Sequence, residues 1–223
     1  MSKKILVIAA HADDEVLGCG GTIARHVAEG DLVHVIYMAD GVSSRKNEQS
    51  AELIRRNKAR DASLNILGVS KWHALDFPDN RMDTVPLLDV VQALELIMRE
   101  IQPERIYTHH HGDLNIDHRI THQAVMTACR PQPGISVREI FTFEVNSSTE
   151  WSSRGTDDFV PNAFVDISDY LIKKLEALTA YQAEMRPPPH SRSIEHTKIL
   201  AAHRGYCVGL EAAEAFELSR IIL

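Results

Sequence analysis

Cysteine is scarce in this 223-residue chain, and Cys19, Cys129 and Cys207 are odd in number and widely spaced, which argues against a disulfide framework. Long apolar runs are missing as well. No window approaches the roughly 20 apolar residues of a membrane span, so no membrane insertion is expected. The first apolar run, Ile5 to Ala10, is broken by His11 and two aspartates and is too short for the core of a secretory signal. A cytoplasmic location follows as the expectation. A basic stripe is absent too: Arg55, Arg56, Lys58 and Arg60 lie together but follow Glu48 and Glu52, and the net charge is -7. No nucleic-acid partner is expected from that balance. Neither an internal repeat nor a low-complexity tract interrupts the chain, and its length suits one domain over residues 1–223.

What is present is an alternation of short β-rich runs with helical periodicity. Ile5–Ile8, Leu32–Tyr37, Trp72–Leu75, Arg105–Thr108 and Glu139–Val145 read as strands. Helices are expected over Leu17–Glu29, Asn47–Leu67, Asp117–Cys129 and Leu171–Met185. The clearest lies between them, where Leu87, Val90, Val91, Leu94, Ile97, Met98 and Ile101 keep i, i+3, i+4, i+7 spacing before Pro103. This order predicts an α/β, Rossmann-like three-layer fold, with a mainly parallel sheet and helices on both faces. Asn146–Asn162 and Arg186–His190, with its three consecutive prolines, read as loops that could rim a site.

Ligands in such sheets bind outside the carboxyl ends of the strands. The first strand is followed by His11-Ala12-Asp13-Asp14-Glu15, and the fourth by His109-His110-His111-Gly112-Asp113-Leu114-Asn115-Ile116-Asp117-His118. Topology therefore brings two polar clusters to one sheet edge, and together they make a divalent-metal ligand set. Each alone has a plainer reading. Asp13 to Glu15 also suit the first turn of a helix, His109 to His111 suit a solvated loop, and Asp117 suits a helix cap. His122, four residues after His118, reads as structural rather than as a ligand.

His11 to Glu15, with the following Val16-Leu17-Gly18-Cys19-Gly20-Gly21-Thr22, resembles the His-Pro-Asp-Asp-Glu signature of the LmbE-like (PIG-L) de-N-acetylases. Asp117-His118-Arg119 is similar to that family's second metal motif. Gly30, Leu67-Gly68 and Ala213-Glu214-Ala215-Phe216 extend the resemblance along most of the chain. It implies a zinc-dependent hydrolase that removes an acyl group, commonly acetyl, from N-acetylglucosamine-type or related amino-sugar amides. His11, Asp14 and His118 match the zinc ligands; another divalent ion could stand in for zinc. Asp13 matches the general base that acts on metal-activated water, and Asp117 the carboxylate beside the metal histidine, so both are expected to be catalytic. Arg56, Asp113 and Asn115 are the expected substrate contacts. A homo-oligomer is compatible with exposed helix faces.

Three positions depart from the family pattern. Ala12 replaces proline, Ala59 replaces a glutamate, and Asn115 stands where many members have a histidine. Asparagine cannot titrate. A proton for the leaving amine must then come from Asp13 itself, His110, His111 or Asp113. Three rival readings stand beside this one. A related amidase could cleave a larger acyl group or a non-sugar amide. A nucleotide-binding Rossmann protein could use Gly18, Gly20 and Gly21, although the acidic residues at the strand end would repel phosphate. A non-catalytic protein could keep the metal for structure, although structural zinc sites favour four ligands and cysteine.

Overall fold

The computed structural model of the chain describes residues 2–41, 43, 49–155 and 157–223. Its centre is a seven-stranded sheet. Five strands, β1 (Lys4–Ala9), β2 (Leu32–Ala39), β3 (Lys71–Phe77), β4 (Arg105–His109) and β5 (Glu139–Phe143), run parallel. Two more, β6 (Ala163–Asp166) and β7 (Ala213–Ile221), extend one edge as antiparallel neighbours, giving the order β3-β2-β1-β4-β5-β7-β6.

Side-chain alternation along β1 explains the three layers, because successive residues point to opposite faces of a sheet. Ile5, Val7 and Ala9 join one buried cluster with α1 (Asp14–Ala28), α2 (Gln49–Leu67) and α5 (Leu171–Ala180). Leu6 and Ile8 join the other, with α3 (Leu87–Ile101) and α4 (Ile116–Ala128). A strand buried on both faces is a near-continuous apolar run, and Ile5-Leu6-Val7-Ile8 is one. α3 follows its periodicity: Val90, Val91, Leu94, Met98 and Ile101 are buried, while Leu88 and Leu96 face outward. No described helix is long and apolar enough to cross a membrane.

Several boundaries differ from the sequence expectation. Asn47, the expected start of α2, lies outside the described residues. α1 begins at Asp14 rather than Leu17, and it is broken at Cys19, whose φ of -147° is not helical. α5 ends at Ala180, because Tyr181 to Glu184 form turns instead of continuing to Met185. A further helix, α6 (Ile194–Tyr206), and the strands β6 and β7 were not expected. β6 is only half-buried along its length, the last half of β7 is half-buried or exposed, and α6 buries only Thr197, Ala201 and Gly205, so their sequence carries less of the continuous apolar signature than the central strands.

Candidate metal centre

The strand order reverses between β1 and β4, and the crevice at such a switch point is where open α/β sheets bind ligands. Here the loop ends are tied directly: Ala10 N–H donates to His109 Nε2 at 2.8 Å. His11, Asp13 and Asp14 leave β1, His109 ends β4, and Asp113, Asp117 and His118 follow it. All seven are buried.

One oxygen marks the middle of this group. Asp14 Oδ2 lies 3.2 Å from His11 Nδ1, 3.2 Å from His118 Nε2 and 3.6 Å from His109 Nε2. The outer nitrogens of the first two rings face other carboxylates. His11 Nε2 is 3.0 Å from Asp117 Oδ2 and 3.2 Å from Asp79 Oδ1. His118 Nδ1 is 3.1 Å from Asp113 Oδ1. A carboxylate accepts a proton bond and does not donate one, so each outer nitrogen carries its hydrogen. The inner nitrogens both face Asp14 Oδ2, so they hold protons that a cation would displace, and carboxylates behind the rings are the arrangement that orients metal-binding histidines.

Charge points the same way. Burial disfavours a charged His11, but its bonds to Asp117, Asp14 and Asp79 outweigh that and hold its pKa well above the usual value. Burial likewise opposes the charge on His118, yet Asp14 and Asp113 push it up to about 9. Asp14 is held well below the carboxylate range, its burial being overcome by His118 and His11. His109 is pushed well below its usual value by burial and by the neighbouring His118, and stays neutral. With Asp13, Asp14, Glu15, Asp79, Asp113 and Asp117 buried in one place, the donor set suits a divalent cation that replaces protons.

Four groups among the described residues bring three metal-type donors within 4.8 Å of one another. All four have donor atoms with other partners, the fourth through the backbone N–H of His11, which donates to Asp14 Oδ2 at 2.9 Å; the other three are committed to groups outside their own trio. In His11–Asp79–Asp117, both Asp117 oxygens accept backbone N–H groups, from Asn80 and Met82. In His110–His111–Glu217, the His110 nitrogens face Glu217 Oε2 and the Asp157 carbonyl. In His26–Glu29–Asp31, the His26 nitrogens face Asp31 and the Tyr107 hydroxyl. His11, Asp14 and His118 form the fourth, and all three are buried.

Asp13 precedes the first turn of α1 with φ at +122°, a conformation side chains rarely adopt. Its N–H donates to Glu15 Oε2, and its Oδ2 accepts from Arg192 Nη1 at 3.0 Å. Burial raises its pKa, Arg192 opposes the rise, and Asp14 adds to it. Arg56 donates to the carbonyls of Ala12 and Gly41 and lines a cavity of about 560 Å³ with Arg55, Lys58, Ala59, Tyr181 and Glu184. Asp113 is fully buried. It accepts from Ser148 Oγ, Thr149 Oγ1 and Asn115 N–H, which leaves it no open face for a substrate. Asn115 caps α4, its Oδ1 accepting from Asp117 N–H at 2.8 Å, while its Nδ2 donates to Asn80 Oδ1 at 3.3 Å. Asn115, not Asp117, is therefore the helix cap. His122 Nδ1 donates to the His109 carbonyl, away from the centre. The sequence reading missed Asp79, Arg192 and the stacking of His109 on His118 at 3.9 Å.

The glycines after β1 answer to packing. A Cβ on Gly18 would meet the Phe143 ring at 2.3 Å, and one on Gly21 would meet Ile167 at 2.8 Å. The amides that could cradle a phosphate are already used. Gly21 and Thr22 N–H donate to Glu214, whose carboxylate also pairs with Lys174 Nζ at 2.6 Å. A second donation, from Lys174 Nζ to the Leu17 carbonyl, closes the break in α1.

Residues 6–129 match the family model described as GlcNAc-PI de-N-acetylase, PIG-L, and the chain belongs to that family. A relative from Escherichia coli, described as an uncharacterized deacetylase, is 34% identical over 187 residues, 81% of this chain and 91% of its own. The structure of N,N'-diacetylchitobiose deacetylase from Pyrococcus horikoshii superposes with a TM-score of 0.80 at 24% identity, covering 98% of this chain and 84% of the other. A Pseudomonas putida relative, 28% identical over 196 residues (79% of this chain and 72% of its own), is a 4-oxalmesaconate hydratase.

Proposed function

We propose that this chain is a zinc-dependent hydrolase that removes an acyl group, acetyl first among candidates, from the amide of an N-acetylglucosamine-type amino sugar. One observation carries the reading. Two imidazoles, each held from behind by carboxylates, aim at Asp14 Oδ2 beside a buried Asp13. The substrate class comes from the name of the matched family.

In this reading His11 Nδ1, Asp14 and His118 Nε2 hold the ion, and the two nitrogens with one oxygen suit zinc with an open position. When bound, zinc supplies Lewis acidity and lowers the pKa of water to about 7. Asp13 takes the proton of the attacking water and returns it to the departing nitrogen. Asp117 and Asp113 hold His11 and His118 in orientation rather than touching the substrate. Asn115 shapes the loop, and Arg56, which donates to the Ala12 carbonyl beside His11 and also lines the 560 Å³ cavity, contacts the rest of the sugar conjugate.

Residues 1–223 are proposed to act as one domain, because a single sheet uses strands from both ends of the chain. A cytoplasmic location fits three unpaired cysteines. Self-association into a homo-oligomer fits the outward-facing Leu88 and Leu96 of α3. The test is acetate release from a panel of N-acetylated amino sugars by zinc-loaded protein. Acetate appearing with an equal amount of free amine supports the reading. Water addition to an unsaturated acid without amide cleavage would instead favour the chemistry named for the Pseudomonas relative.

A further inference from the structure

Asn115 is committed to the α4 cap and to Asn80, so it offers nothing to the charge that forms on a substrate oxygen. The structure supplies another group for that task. Arg192 comes from the loop before α6, far from either polar cluster in sequence. Its Nε donates to Ser147 Oγ at 2.9 Å and its Nη1 to Asp13 Oδ2 at 3.0 Å. A guanidinium has five N–H donors in a rigid plane. Among the described residues Nη2 has no hydrogen-bond partner. The side chain is mostly buried but keeps 21% of its surface exposed, so it is anchored on one side and open on the other. Asp13, Asp14 and Glu184 strengthen its charge, whereas burial and Arg56 oppose it.

We infer that Arg192 is a catalytic residue whose free N–H groups bind the carbonyl oxygen of the scissile amide and stabilise it as it becomes anionic. The inference rests on the hydrolase reading above. Water's oxygen bonds to the amide carbon while one of its protons passes to Asp13. The carbonyl π pair moves onto oxygen, beside Arg192. When the carbonyl re-forms, the C–N bond breaks and the nitrogen leaves with the proton from Asp13, giving a free amine and a carboxylic acid. A preorganised cation at that oxygen acts most strongly in a site with little water, and a charge-matched donor cannot be lost to titration as a histidine could.

The experiment compares zinc-loaded wild type with Arg192→Ala and Arg192→Lys. Metal content, melting temperature, kcat and KM are read, together with affinity for a phosphonate that mimics the tetrahedral carbon. Arg192→Ala should keep its metal and lose turnover by about 10²- to 10³-fold, with KM changed much less. Phosphonate affinity should fall alongside kcat. Guanidinium added below denaturing concentration should restore part of the turnover, and Arg192→Lys should fall between the two. An Arg192→Ala enzyme that is as fast as wild type overturns the inference. So does a slow variant with a lowered melting temperature, unchanged phosphonate affinity and no rescue, which would make Arg192 a tether for its loop. A wild type that hydrolyses no N-acetyl amine overturns the hydrolase reading itself.

Discussion

Asp117 Oδ2 lies 3.0 Å from His11 Nε2 and also accepts the Asn80 N–H at 2.6 Å, while its Oδ1 accepts the Met82 N–H at 3.0 Å. The carboxylate thus ties the loop after β3 to the histidine that leaves β1. It holds the ring so that Nδ1 faces Asp14. Asp117→Asn keeps the size of the side chain but places an NH₂ group where two of these partners need an acceptor. Metal affinity should fall about 10- to 100-fold with the fold retained, as for other partners of metal-binding histidines. Competition against a chelator of known affinity measures it; unchanged affinity would remove Asp117 from the orienting role.

Asp13 and Asp14 are neighbours with different surroundings, and their substitutions should separate. Asp13→Asn should retain metal and lose turnover by about 10²- to 10⁴-fold, the range for a lost general base. Asp14→Asn should lose metal, because its Oδ2 is the point on which both imidazoles converge. Metal analysis together with kcat for both variants distinguishes this from the opposite assignment.

Asn115→Ala should cost about 1 kcal/mol of stability, the usual worth of a helix cap, and Asn115→Asp should recover most of it. Denaturant unfolding reads the first effect. Because Asp117 and His118 sit in the capped turn, a modest loss of metal affinity should accompany it.

The two strand-end clusters were legible in the sequence because topology alone decides which loops share a sheet edge. Topology did not choose among their residues; the family resemblance singled out His11, Asp14 and His118 as the expected ligands. Asp79 follows β3 by the same rule, yet its Asp-Phe-Pro-Asp-Asn setting reads as an ordinary turn. Arg192 follows no strand, and nothing near it in sequence signals that it folds back on Asp13. The α3 periodicity made its helix legible, since one face is buried and the other is wet. β7 was visible only as the Ala-Glu-Ala-Phe motif. The need for Glu214 appears only once the break at Cys19 leaves the Gly21 and Thr22 amides without helical partners.

A pH effect follows from His110, which lies between two acceptors, Glu217 Oε2 at 2.8 Å and the Asp157 carbonyl at 2.7 Å. Both bonds can form only if both ring nitrogens donate, so the ring is cationic. Burial lowers its pKa, but Glu217 and the carbonyl outweigh burial and raise it above the usual 6.5. A raised folded-state pKa contributes stability that is fully present below 6.5 and is lost as pH rises through the higher value. Melting temperatures should therefore decline across that window for wild type. Glu217→Gln should flatten the decline, and an equal slope in the variant would assign it to other groups.

The most direct test of the account is the position of the metal itself. Crystals grown with zinc and measured on both sides of its absorption edge should show one strong anomalous peak bounded by His11 Nδ1, Asp14 and His118 Nε2, beside Asp13. A strong peak between His11 Nε2, Asp79 and Asp117, or at His110, His111 and Glu217, with none at the first position, would contradict it.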